Sequence, residues 1–130
     1  GAANADELAF VLGHETAHHI AGHLPRRQEE TASAAQRAGE QALADGLDAK
    51  GIRAAADAEA RSTFQAYSRT LELEADALGA EIAWLAGFDA LRGAAYLDRL
   101  PGPGGTGPGN HPDSARRKAM VAATLHRLQD

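Results

Sequence analysis

Residues 14–18 read His-Glu-Thr-Ala-His and constrain this chain more than any other feature. They lie in a segment whose apolar spacing predicts a helix over Asp6–Leu24. Residues four apart lie one turn apart on the same helix face, so His14 and His18 can bind one metal ion together. Glu15 is rotated by about 100° around the axis and therefore stands beside that ion rather than on it. Two imidazole ligands with an adjacent carboxylate base are the arrangement that a zinc hydrolase needs.

The composition indicates one small domain built from helices. Hydrophobic residues make up 44% of the 130 residues but aromatic ones only 5%, which favours closely packed helices with small contacts. The net charge of −5 argues against a nucleic-acid partner, because the phosphate backbone calls for a basic surface. The chain has no cysteine, so any metal must be held by histidines and carboxylates. No uninterrupted apolar run reaches the roughly 18 residues of a transmembrane segment.

The spacing of apolar residues and of helix-ending residues predicts an all-α (mostly α) fold with no strand. Asn4 and Glu7 form a capping box for the first helix, and Pro25 ends it. Apolar residues surround most of that helix, so we expect it to be buried. The glycine- and proline-rich residues 101–109 predict a mobile loop. Further helices are predicted over Arg26–Ala44, Asp48–Ala60, Ser62–Gly87, Ala90–Leu100 and Pro112–Leu128.

Glu72 is the best candidate for a third metal ligand. A catalytic zinc site normally has three protein ligands and a water molecule in the fourth position. Glu72 lies in the strongly patterned segment Ser62–Gly87, and Asp76 follows one turn later on the same face. Asp76 could accept the second N–H of a ligand imidazole and so fix its orientation. The plainer interpretation, that both are acids on a solvated helix face, stays open at this point.

The motifs H-E-x-x-H at residues 14–18 and E-x-x-A-D at residues 72–76 occur in this order and resemble the M48 family of zinc metallopeptidases. This family includes the CAAX prenyl proteases and soluble bacterial relatives. The resemblance implies a zincin-like helical catalytic core, with residues 1–130 as a single minimal or truncated peptidase domain. It also implies a site of the gluzincin type, in which His14, His18 and Glu72 bind one Zn²⁺, Glu15 is the general base and acid, and Asp76 supports a ligand.

The resemblance extends to His111 and Arg117. Many relatives carry His-Pro after a glycine-rich loop and an arginine six residues past that histidine, and these two residues are associated with stabilising the tetrahedral oxyanion. In some bacterial members the histidine occupies the open position of the zinc. The resemblance therefore implies catalytic roles for His111 and Arg117 and makes His111 a possible fourth ligand. An exposed histidine beside a helix-starting Pro112 is the alternative interpretation.

The sequence thus predicts a zinc-dependent metalloendopeptidase that acts on protein or peptide substrates. The alternative is a latent or non-enzymatic zinc-containing module that binds protein, with His111 closing the metal site; a helical adaptor without metal is a third interpretation. The sequence departs from the family at three points. The strands that relatives usually carry upstream of H-E-x-x-H and the transmembrane helices of the prenyl-protease branch have no counterpart here, and Arg116 stands where relatives often have glutamate. Family analogy points to the bacterial periplasm or a membrane-associated place in the envelope, although no signal peptide pattern is present.

Overall fold

The computed structural model describes residues 1–100 and 112–130, and within these ranges all regular structure is helical. The prediction of a mostly α fold is confirmed. The predicted loop over residues 101–109 and His111 lie outside the described residues. None of the described helices combines the length and the apolar character that crossing a membrane requires. The α-helices are α1 (Ala5–Ile20), α2 (His23–Ala44), α3 (Ala49–Leu85), α4 (Ala90–Gly93) and α5 (Pro112–Gln129), and a 3₁₀ helix spans Ala94–Arg99.

Helix α1 begins at the predicted cap. The Asn4 side chain accepts a hydrogen bond from the Glu7 backbone N–H at 3.0 Å, which satisfies one of the free donors of the first turn. The other half of the predicted capping box is different, because the Glu7 carboxylate accepts from the backbone N–H of Ala3 at 2.6 Å. This carboxylate also binds the guanidinium of Arg99 on the 3₁₀ helix. Glu7 therefore joins the start of α1 to a distant segment.

The predicted end of the first helix at Pro25 is wrong. Helix α1 stops at Ile20, and Gly22 has a φ of 63°, a left-handed conformation that glycine adopts without steric cost. Pro25 lies instead in the first turn of α2, where its missing N–H has no partner to lose. The left-handed conformation of Gly22 therefore interrupts the helical backbone between α1 and α2.

Helix α3 is continuous over Ala49–Leu85, whereas the sequence predicted two helices separated near Ser62. Serine costs only a few tenths of a kcal/mol relative to alanine in a helix, and its neighbours Ala60 and Arg61 are strong helix formers. Neither glycine nor proline occurs between Gly51 and Gly79. The signal at Ser62 is therefore too weak to end a helix.

The expectation that α1 is buried on most of its circumference is also wrong. Leu8, Leu12 and Ile20 are exposed to 51%, 59% and 66%. Only one stripe of the helix packs against other elements, as the three- and four-residue spacing of its buried residues shows. These buried residues are Glu7, Phe10, Gly13, His14 and Ala17.

The chain groups into two compact units, the first formed by residues 1–21 and 72–130 and the second by residues 22–71. In the first unit, α1, the end of α3, α4, the 3₁₀ helix and α5 surround one apolar core, with Trp84 half-buried at its edge. Alanines make up half of this core, in line with the expected close packing. The buried core residues are Phe10, Ala80, Ala83, Ala90, Ala94, Leu97, Val121 and Leu125.

The second unit contains α2 and the first part of α3. Gly46 has a φ of 84° in the turn between them, and the backbone N–H of Leu47 binds the carbonyl of Ala42 at 3.0 Å. Near the start of α2, the Arg27 guanidinium lies over the Phe64 ring, 4.4 Å from its centroid. The prediction that residues 1–130 form a single domain stays a prediction.

Helices α1 and α3 approach each other through two glycines, Gly13 and Gly79. A Cβ atom on Gly13 would lie 2.6 Å from the Gly79 carbonyl oxygen, and one on Gly79 would lie 2.6 Å from the His14 backbone nitrogen. Both neighbours are backbone atoms, so no side chain can move aside to make room. The crossing requires glycine at both positions, and it lies immediately beside His14.

We expect Gly79→Ala to destabilise the protein by about 1–3 kcal/mol, because the added methyl group forces the two helix backbones apart. Gly39→Ala is the matched control, since its Cβ would meet only the Ile52 and Ala56 side chains at 3.7 and 3.9 Å, an ordinary contact. That change should stabilise by about 0.4–1 kcal/mol. Urea unfolding followed by circular dichroism measures both, and equal effects of the two substitutions would contradict the close crossing.

The ion pair of Glu7 and Arg99 makes the free energy of unfolding depend on pH. The hydrogen bond from Arg99 is the largest of the effects that lower the Glu7 pKa from 4.5 to about 2. A lowered pKa means that the folded state binds a proton less readily than the unfolded state. The stabilisation from Glu7 is therefore complete above the unfolded pKa and is lost as the pH falls through the folded one.

We therefore expect wild type and Glu7→Gln to differ most in free energy of unfolding above about pH 5 and to converge as the pH falls toward about 2. The amide cannot ionise, so the variant lacks this part of the pH dependence. Glu29→Gln, at an exposed position on α2, is the control and should run parallel to wild type. Urea unfolding at a series of pH values tests this, and a constant gap between wild type and Glu7→Gln would refute it.

Candidate metal centre

Three elements of the first unit bring the candidate residues together. Helix α1 carries His14 and His18 one turn apart, and the part of α3 that belongs to this unit carries Glu72 and Asp76 one turn apart. The glycine crossing holds these two helices close at the level of His14. Helix α5 adds Arg117.

His14, His18 and Glu72 direct their polar atoms at one another. The two Nε2 atoms are 3.0 Å apart, and Glu72 Oε1 lies 3.0 Å from His18 Nε2. The second carboxylate oxygen of Glu72 lies 3.4 Å from His14 Nε2. One ligand atom from each residue falls within 4.8 Å of the others, so the three residues can hold a metal ion.

These separations fit a tetrahedral ion such as Zn²⁺. Metal–ligand bonds of about 2.0–2.1 Å at tetrahedral angles place two donor atoms roughly 3.3 Å apart. The two Nε2 atoms are 3.0 Å apart, and the separations of 3.0 and 3.4 Å from Glu72 to His18 and His14, each from a different carboxylate oxygen, also lie close to that value. Two imidazole nitrogens and a carboxylate oxygen are also a donor set that zinc accepts in catalytic sites. The residues present therefore fit the ion by both distance and chemistry.

Asp76 is completely buried and connects His14 to Arg117. Its Oδ1 atom lies 2.9 Å from His14 Nδ1, which leaves Nε2 of the same ring facing His18 and Glu72. Arg117 donates to both carboxylate oxygens of Asp76, from Nε at 2.7 Å and from a terminal nitrogen at 2.9 Å. That terminal nitrogen also lies 3.2 Å from Glu72. A buried carboxylate requires such pairing, because an isolated charge in the interior is very costly.

The pKa values report how strongly this cluster attracts positive charge. Burial lowers the pKa of His14, but the hydrogen bonds and charges of Asp76 and Glu72 outweigh it and raise the pKa to about 9. Burial raises the pKa of Glu72, yet His14, Arg117 and His18 together lower it to about 2. Glu72 is thus ionised at neutral pH, as a metal ligand must be. The carboxylates of Asp76 and Glu72, which stabilise the protonated form of His14, also favour a metal cation between the three candidate ligand side chains.

Glu15 lies beside this cluster, as its position on the helix predicted. It is an exposed residue, and it lines the same cavity as His14, Glu72 and Arg117. The cavity thus brings the Glu15 carboxylate next to two members of the candidate metal-binding trio, which consists of His14, His18 and Glu72. A water molecule or a substrate carbonyl in this space could therefore reach both the metal position and Glu15.

Arg117 and His111 are the remaining residues that the sequence singled out for this site. Arg117 is half-buried and its guanidinium is bound to Asp76 and Glu72, a contact that the sequence did not reveal. His111 lies outside the described residues, so its suggested roles stay predictions. Of the other histidines, His19 is exposed on α1, His23 is buried on α2, and His126 is exposed on α5.

The sequence also missed the residues that form the apolar side of the cavity. Phe10 and Val11 come from α1, about one turn before His14, the first residue of the candidate metal-binding trio. Tyr96, Leu97 and Leu100 come from the 3₁₀ helix and the residue after it. The spacing of Phe10 from His14 was a usable signal, since residues four apart share a helix face. No pattern in residues 94–100 pointed to a cavity wall.

The comparison with protein families gives one match that covers nearly the whole chain. The sequence model of peptidase family M48 matches residues 1–124. Among curated proteins and among solved structures, none matches the chain. The matched range contains every residue of the candidate metal centre.

We expect His18→Ala to abolish stoichiometric binding of a divalent ion, because it removes one of three ligand atoms. His19→Ala is a matched control: it removes an exposed imidazole from the next position of the same helix and should leave one ion per chain. Metal analysis after equilibration with Zn²⁺ and gel filtration gives both stoichiometries. Equal loss in the two variants, or full retention in both, would place the ion elsewhere.

Proposed function

Because the chain belongs to peptidase family M48, we propose that it hydrolyses peptide bonds as a zinc-dependent metalloendopeptidase. The observation that carries this proposal is the cluster of His14, His18 and Glu72 with Glu15 lining the adjoining cavity. A site that only stabilised the fold would need no carboxylate beside its ligands. The substrate is a protein or a peptide.

In this proposal His14 and His18 would hold the zinc through Nε2, and Glu72 would hold it through its carboxylate. A zinc ion held there supplies polarisation of the scissile carbonyl and lowers the pKa of a nearby water molecule. The contacts described above support the assignment because one ligand atom of each residue lies within 4.8 Å of the other two.

Glu15 is the general base and then the general acid. Its carboxylate takes the proton from the attacking water molecule, and it later delivers that proton to the nitrogen of the leaving amine. Its place on the helix, one residue after His14, puts it next to the ligands without making it one. Its exposure to the cavity gives a substrate access to it.

Asp76 and Arg117 hold the ligands in position. Asp76 accepts the Nδ1 proton of His14, so Nε2 is the nitrogen with which this ring would bind the metal. Arg117 holds Asp76 through two hydrogen bonds and keeps Glu72 ionised nearby. Stabilisation of the oxyanion by Arg117 and by His111, and closure of the fourth zinc position by His111, remain proposals from the family resemblance.

We expect Glu15→Gln to bind one zinc ion per chain and to lose catalytic turnover by at least about 10²–10⁴-fold, because the amide cannot accept the proton. A quenched-fluorescence assay with unstructured protein substrates measures the turnover, and metal analysis measures the zinc. Glu29→Gln, an exposed change on α2, should keep both properties.

Two outcomes would count against this mechanism. If Glu15→Gln cleaved the substrates as fast as wild type, Glu15 would not be the base. If zinc-loaded wild type cleaved none of the substrates while binding them, the non-enzymatic zinc module would be the better description of the chain.

A further inference from the structure

The Arg117 guanidinium places a fixed positive charge against the candidate metal centre. One of its terminal nitrogens lies 2.9 Å from Asp76 Oδ1 and 3.2 Å from Glu72 Oε2, so the two carboxylates share it. Its Nε donates to the other oxygen of Asp76 at 2.7 Å. An arginine side chain keeps its proton in proteins. A metal cation that Glu72 binds therefore shares that carboxylate with a charge of the same sign.

The orientation of the candidate ligands does not by itself require this charge. The three candidate ligands and Asp76 all belong to α1 and α3, which the glycine crossing holds together. Asp76 is completely buried and contacts the His14 ring directly at 2.9 Å. Glu72 Oε1 lies 3.0 Å from His18 Nε2, so this carboxylate has a partner on α1 as well. Arg117 comes from a third helix, α5, and adds a positive charge to this arrangement.

The burial of the pair makes this charge effective. The side chain of Arg117 is exposed to only 16%, and that of Asp76 to 0%. Salt screens such partly buried charges much less than it screens charges on the surface. The carboxylates of Glu72 and Asp76 attract a divalent ion, and the guanidinium offsets part of that attraction. The ion and the guanidinium are therefore alternative partners for the same two carboxylates.

We infer that Arg117 competes with the metal ion for Glu72 and Asp76 and thereby lowers the zinc affinity of the site. The inference rests on the proposed zinc site but not on the cleavage of peptides. Such coupling is reciprocal, so zinc must reduce the contribution of Arg117 to stability by the same factor by which Arg117 reduces the affinity for zinc. Both carboxylates then keep a positive partner when the ion leaves. The protein can therefore release and take up zinc without unfolding.

The first test compares the zinc dissociation constants of wild type and Arg117→Gln by competition with a chromophoric chelator. The amide keeps an N–H donor but removes the positive charge. We expect Arg117→Gln to bind zinc about 5–150-fold more tightly, the usual range of coupling between two sites. Arg116→Gln is the matched control, because it removes the same charge from the exposed neighbouring residue of α5 and should keep the wild-type affinity. Arg117→Lys keeps the charge and should not gain affinity.

The second test measures the other side of the same coupling through thermal unfolding followed by circular dichroism. Each protein is unfolded once with a chelator and once with saturating zinc. Tighter binding to the folded state gives more stabilisation at a given zinc concentration. Zinc should therefore raise the unfolding temperature of Arg117→Gln more than that of wild type or of Arg116→Gln. The loss of Arg117 should accordingly destabilise the chelated protein more than the zinc-loaded protein.

Equal or weaker zinc binding by Arg117→Gln would overturn the inference, because Arg117 would then only orient the ligands. An equal gain of affinity in Arg116→Gln would overturn it as well, since net charge alone would explain the gain. If Arg117→Gln does not fold, Arg117→Met also removes the charge and decides the question. If neither variant folds in saturating zinc, the ion cannot replace the guanidinium and the inference is wrong.

The wild-type measurement separates this inference from the proposed function. A wild type that binds no zinc would refute the proposed metal site and the inference together. A wild type that binds one zinc ion per chain no more weakly than Arg117→Gln would refute the inference alone and leave the proposed peptidase function intact.

Discussion

The buried carboxylate of Asp76 is the contact on which the candidate site depends. It binds His14 on α1 and Arg117 on α5 while belonging to α3, so one side chain joins three helices of the first unit. Removing one partner of a buried ion pair typically costs about 3–5 kcal/mol, which makes this cluster a strict constraint on how the helices pack. The same pairing orients the His14 ring. Packing and metal-ligand geometry are therefore set by the same atoms.

The glycine crossing makes this contact possible. Asp76 reaches His14 at 2.9 Å only because α1 and α3 come close enough for backbone atoms to touch near Gly13 and Gly79. A side chain at either position would separate the helices by more than a hydrogen bond tolerates. The candidate metal-binding trio also spans α1 and α3, so the distances among its three side chains depend on the same close approach of the two helices. Gly13 and Gly79 therefore determine both the packing of the two helices and the separation of the candidate ligand side chains.

Much of the site could be predicted from sequence because its ligands occupy fixed helical spacings. Residues four apart must share a face, and this rule alone pairs His14 with His18 and Glu72 with Asp76. Contacts between distant segments have no such local rule. The Arg117–Asp76 pair joins residues 41 positions apart, and the cavity wall at Leu97 depends on how a 3₁₀ helix packs. Leu8 and Leu12 were wrongly predicted to be buried for a related reason. An apolar helix surface does not show which of its faces packs against another helix.

The charges around His14 explain why an arginine belongs in a cation-binding cluster. Glu72 and Asp76 lie one turn apart on α3, and two negative charges on the same helix face repel each other unless a cation pairs with both. Arg117 binds both, and together with His14 and His18 it holds the pKa of Glu72 near 2. The guanidinium contacts Oε2 of Glu72, whereas Oε1 of the same carboxylate lies 3.0 Å from His18 Nε2. Together with His14, Arg117 therefore keeps Glu72 ionised, and it leaves Oε1 of Glu72 directed toward His18.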